Sequence, residues 1–116
     1  MGSEWMTKAI TALRQAGIRT GRGYPSGKMP YLRGPVAAVI LQQSKVSGEK
    51  IEVQIFSPMN QGGTACEDAA FQAADALRQL GGFCTIGECG FDGEMGLFHQ
   101  TVTVNFLLIQ SETPTE

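Results

Sequence analysis

No apolar run in this chain approaches the ~20 residues that a membrane-spanning helix needs. The opening decapeptide, MGSEWMTKAI, lacks the basic-then-apolar layout of a secretory leader, so a cytoplasmic protein is expected. Histidine occurs once, at His99, which leaves nucleophilic catalysis short of a base and of partners to orient it. Cysteine occurs three times, an odd number that points to free thiols where no export signal is present. Cys66, Cys84, Cys89 and His99 are the residue types of a zinc site. However, Cys84 and Cys89 stand five apart, and an odd step along a strand sends side chains to opposite faces. Buried structural cysteines without metal are therefore expected.

Two phosphate-binding motifs are also missing. Gly21 is followed by five residues, not four, before Gly27-Lys28, and Met29 stands where a P-loop places Ser or Thr. A dinucleotide fingerprint fails at Ser26, which occupies the position of its third glycine. Glu88, Asp92 and Glu94 gather in a turn, where carboxylates are ordinarily just solvated. No catalytic site, cofactor site or metal site is expected.

What is present fits one α+β domain. The 116 residues are 42% hydrophobic and 17% charged, which is enough to build one core and too apolar for wholesale disorder. Met6, Ala9, Ile10 and Leu13 recur at helical spacing from about Ser3, with Trp5 flanking the stripe and Gly17 as the stop. Residues 36–43 (VAAVILQQ) read as a buried strand. After a turn at Ser47-Gly48, Ile51, Val53 and Ile55 alternate with Glu52 and Gln54 as its hairpin partner. Thr64-x-x-Glu67 has the spacing of a capping box and predicts a helix from there to Leu80, closed by Gly81-Gly82. Its apolar stripe is Cys66, Ala69, Ala70, Ala73, Leu77 and Leu80, widened by Phe71 and Ala74. Residues 83–91 and 97–109 read as a second hairpin around Asp92-Gly93-Glu94-Met95-Gly96, with Gln100, Val102, Val104, Phe106 and Leu108 on one face. The expected order is α-β-β-α-β-β, with both helices on one face of a mainly antiparallel four-stranded sheet. Residues 1–109 form the domain and 110–116 a polar tail.

Charge is distributed unevenly. Residues 1–50 carry eight basic groups against two acids, while residues 51–116 carry nine acids against Arg78 alone. A fold either interleaves these halves or leaves the molecule with a positive and a negative side suited to head-to-tail contact. The segment 17–35 concentrates the basic charge and is rich in glycine and proline. Arg19, Arg22, Lys28 and Arg33, interleaved with Tyr24, Met29 and Tyr31, form a candidate partner-binding set. The same residues would serve a small monomeric module that binds an acidic ligand or nucleic acid, although the pI near 5.4 is unlike most nucleic-acid binders.

The element order resembles that of phage tail terminator or tail-completion proteins. The resemblance rests on an N-terminal helix, a Gly/Pro-rich crossing, the strand from Pro35 to Leu41 and a strand ending Phe56-Ser57-Pro58. An amphipathic helix and a closing hairpin through Leu97-Phe98-His99-Gln100-Thr101-Val102-Thr103-Val104 complete it. It implies a homo-oligomer, a hexameric ring that caps the tail tube, ends its polymerisation and joins it to the head–tail connector. It also implies passive contact with DNA in the lumen, no membrane, and a path from host cytoplasm to virion.

Overall fold

A computed structural model describes residues 3–22, 35–45, 48–94 and 96–107. The elements run α1 (Ser3–Gln15), β1 (Arg19–Arg22), β2 (Val36–Lys45), β3 (Gly48–Pro58), α2 (Gly62–Gln79), β4 (Phe83–Ile86), β5 (Gly90–Asp92) and β6 (Leu97–Leu107), with a 3₁₀ turn, Met59–Gln61, leading into α2. The α+β class and the two helices agree with the sequence reading. The sheet differs from it. Among the described residues it has six strands, in the order β1-β2-β3-β6-β4, with β5 also paired to β6.

Three of its pairings explain the difference. β2–β3 is antiparallel, as alternation and the turn predict, with a register slip in β2 between Leu41 and Gln43; β3–β6, which joins the two expected hairpins, is antiparallel too. The expected arm 83–91 divides into β4 and β5, which lie end to end along one edge of β6. Between them the Gly87 amide still donates to the Thr101 carbonyl at 2.8 Å, so the edge is interrupted but not released. β1 is an added strand, paired parallel to β2 from Arg19↔Val36 to Arg22↔Val39, which makes the sheet mixed. Parallel neighbours need a crossover of about a dozen residues or more. The length of the segment after β1 is thus accounted for by topology, although its basic charge is not.

Both helices end the same way. The Gly17 amide donates to the Arg14 carbonyl and the Ile18 amide to Leu13; Gly81 donates to Arg78 and Gly82 to Leu77. Gly17 and Gly81 supply the positive φ, 92° and 95°, that this ending requires. The start of α2 departs from expectation. Gln61 is its N-cap residue, with no side-chain cap, and Thr64 lies inside the first turn. Pro58 stops β3 and the 3₁₀ turn feeds the helix directly, so the chain is already helical when it reaches Thr64.

One face of the sheet carries Ala37, Val39, Ile51, Val53, Ile55, Val102, Val104 and Phe106, all buried against α1 and α2. Ile10, Leu13 and Leu77 are buried as expected, and Leu80 is partly buried against the same cluster. Trp5 stacks on Phe106 with ring centroids 4.5 Å apart, and Lys8 Nζ lies 4.8 Å from the Trp5 ring centre. Phe71 is 57% exposed, contrary to its placement in the α2 stripe. At ~100° per residue it points well away from the line through Cys66, Ala70, Ala73 and Leu77. β2 reads as a continuous apolar run because Val36 and Ala38, on the far face, are buried as well.

Among the buried polar atoms without a partner in the described residues are Gln100 Oε1 and Ser57 Oγ. Ser57 is fully buried on the helix-bearing face, and its Oγ has no hydrogen-bond partner among the described residues. An unmet hydroxyl costs its desolvation, so Ser57→Ala is expected to leave stability unchanged or raise it by up to ~1 kcal/mol. Urea denaturation reads this directly. A fall in midpoint of the size a lost hydrogen bond causes would show that the hydroxyl is satisfied.

Candidate functional site

Sheet order decides where the two halves of the chain lie relative to each other. β1 and β2, both from the first half of the chain, form one side, with α1 packed over them. β6, β4 and β5, from the second half, form the other, with α2 packed over β3, β6 and β4. The described side chains put Arg14 and Arg19 at the β1 end and Glu88 and Glu94 at the β4–β5 end, while Lys8 lies over Trp5 and Lys50 stands on the central strand β3.

At the basic end, Arg19 is exposed on β1. Arg14, in the last turn of α1, donates from Nε and Nη2 to the Thr20 carbonyl at 3.0 and 2.8 Å. This paired contact ties α1 to the edge strand and leaves a shallow cleft lined by Arg14, Gly17, Ile18, Arg19 and Thr20. Arg22 ends β1, where only its backbone is described. Tyr24, Lys28, Met29, Tyr31 and Arg33 lie outside the described residues, as does the tail 110–116. The structure thus places two of the seven predicted partner-binding residues, both on β1, which ends the sheet among the described residues and which sequence reading did not identify.

At the acidic end, Glu88 and Glu94 are exposed. Asp92 Oδ1 accepts the Glu94 amide at 3.0 Å, and the Gly96 amide donates to the Asp92 carbonyl at 2.8 Å. Asp92 is therefore part of the turn itself, as short Asp side chains are in such turns. Glu67, Asp68 and Asp75 on exposed positions of α2 extend the negative surface, with Asp75 3.4 Å from Arg78.

The groups weighed for chemistry do not converge. His99 stands on the sheet face away from the helices, opposite Phe56 and beside Gly90, where a Cβ would lie 3.4 Å from its Nε2. Cys66 and Cys89 lie on the helix-covered side and Cys84 further along α2. Among the described residues, no group of three or more His, Cys, Asp or Glu could hold a metal ion. All three cysteines are free. Burial pushes the Cys66 thiol up to about 12, with the neighbouring Cys89 and Glu67 adding to it, and burial also raises Cys84 against the opposing pull of Arg78. Sequence reading compared Cys84 with Cys89 and missed the meeting of Cys66 with Cys89, which only the fold creates.

No described helix is long and apolar enough to cross a membrane. No protein-family model matches this chain, and no curated protein matches it.

Proposed function

We propose that this chain is a structural assembly protein without catalytic activity. Its copies close head-to-tail into a ring that caps a phage or phage-like tail tube, ends polymerisation and joins the tail to the head. The observation that carries the reading is the placement of β1 at one end of the described sheet, with Arg14 and Arg19, and of β4 and β5 at the other, with Glu88 and Glu94 exposed. A heterologous contact between unlike ends repeats from copy to copy and closes when the rotation allows. The order of elements, which resembles that of tail terminator proteins, supplies the ring and its partners: tube protein on one face and connector on the other. Arg19, Arg22, Lys28 and Arg33 set orientation and encounter rate, while Tyr24, Met29 and Tyr31 supply apolar contact area. DNA passes through the lumen without being read.

The test is assembly state. Sedimentation at low salt and high protein concentration is expected to give a closed species of roughly six copies, alone or on addition of purified tail tubes. A chain that stays monomeric over that range and leaves tubes free to elongate is not a terminator. A monomer that instead binds polyanions through the basic end would be a small binding module.

A further inference from the structure

Cys66 and Cys89 meet beneath the first turns of α2. Cys66 is fully buried, and its Sγ lies 3.9 Å from the Ile55 carbonyl of β3. Cys89, half-buried in the connection between β4 and β5, places its Sγ 3.9 Å from the Gly63 carbonyl. A Cβ on Gly63 would lie 3.7 Å from that sulfur, ordinary contact distance, so the thiol packs directly against the first turn of the helix. Gly63 precedes Cys66 by nearly one helical turn, so the two share a face of α2, and Cys89 packs against that face and the core cluster that contains Cys66. Cys84 is held elsewhere, its Sγ 3.6 Å from the Ala74 carbonyl. From Gly63 to Ala74 is roughly 16 Å along the helix axis by its rise per residue. One pair of thiols is thus poised to join, and the third cysteine is excluded from it.

We propose that Cys66 and Cys89 form a redox-active dithiol site, which a small disulfide such as oxidised glutathione converts to an intramolecular disulfide. The Cys89 thiolate, nearer the surface, attacks one sulfur of the oxidant, forming a mixed disulfide and releasing one glutathione thiolate. Cys66 then gives up its proton to solvent and attacks the Cys89 sulfur, releasing the second glutathione. Two protein thiols are oxidised by two electrons, and one glutathione disulfide is reduced to two thiols. The new bond staples the start of α2 to the β4–β5 edge, beside Glu88 at the acidic end. The inference stands on the thiol geometry and does not depend on the assembly reading.

The full chain is incubated with oxidised glutathione under native conditions, alkylated and digested after Arg78 and after Glu88, which puts each cysteine on its own peptide. The expected result is a single cross-link, Cys66 to Cys89, with Cys84 fully alkylated. In denaturant the same oxidant should favour the short Cys84–Cys89 loop, because closure entropy then decides. Cys84→Ser should keep the native cross-link and Cys89→Ser should abolish it. The oxidised wild type should melt about 5–15 °C higher than the reduced protein, by the loop-closure effect. Three free thiols, glutathione held stably on Cys89, or a native cross-link to Cys84 would each overturn the proposal.

Discussion

Gly82→Ala is expected to destabilise the protein by about 2–4 kcal/mol, the cost of forcing an added group into a filled core. A Cβ at Gly82 would stand 2.3 Å from Val104 Cγ2, 3.0 Å from the Phe106 ring and 3.1 Å from the Leu77 carbonyl. Val104 is fully buried and β-branched, so it has little freedom to turn aside. The Leu77 carbonyl already accepts the Gly82 amide and cannot withdraw without opening the end of α2. Gly81 next to it presents the opposite case. It has φ of +95° and open space around its Cβ position, so alanine there costs only the backbone penalty, about 1 kcal/mol. Thermal or urea denaturation separates the two. A double-mutant cycle with Val104→Ala identifies the mechanism, because removing the methyl that clashes should return ~1 kcal/mol or more of the Gly82→Ala loss. Strict additivity would show that the damage lies elsewhere.

Those two glycines also show what was legible in the sequence. Where a helix stops is a local matter, settled by a residue able to adopt positive φ after an apolar stripe, and Gly17 and Gly81 both behave that way. Period-two alternation likewise marked Ile51, Val53, Ile55, Val102, Val104 and Phe106, because a strand with one covered face imposes it on the chain. β1 was illegible for the complementary reason. Its four residues, RTGR, contain no apolar side chain, and its pairing with β2 is fixed by distant chain. Thr64-x-x-Glu67 has the spacing of a cap without the position of one, since the preceding 3₁₀ turn had already started the helix. The candidate assembly surface was half legible. Counting charges revealed the asymmetry, but only strand order told that β1 and the β4–β5 pair would stand at opposite ends of the sheet. The Cys66–Cys89 meeting left no trace in spacing, as it depends on α2 lying over the gap between β4 and β5.

Charge reversal is expected to abolish self-association one end at a time and to restore it when complementary variants are mixed. In the first variant Arg19, Arg22 and Arg33 become glutamate, so both ends are acidic. In the second, Glu88 and Glu94 become lysine, which puts positive charge on the β4–β5 edge; Asp92 is spared because its carboxylate holds the turn. Each variant alone presents like charges at every contact and should remain monomeric, with its circular dichroism unchanged. Mixed in equal amounts, they can alternate around a ring of even number, each acidic end meeting a basic one. That rescue reports charge-matched contact, and the size of the rescued species reports its geometry, since an isologous contact stops at a dimer whereas a heterologous one continues to a closed ring. One exposed pair is worth only ~0–1 kcal/mol, so the effect relies on several pairs acting together with apolar contact from the same segment. Salt should weaken both wild-type and mixed assembly as the screening length contracts to ~3 Å at 1 M. Association of either variant alone, or a mixture that stays monomeric where wild type assembles, would rule out charge-matched ends as the basis of assembly.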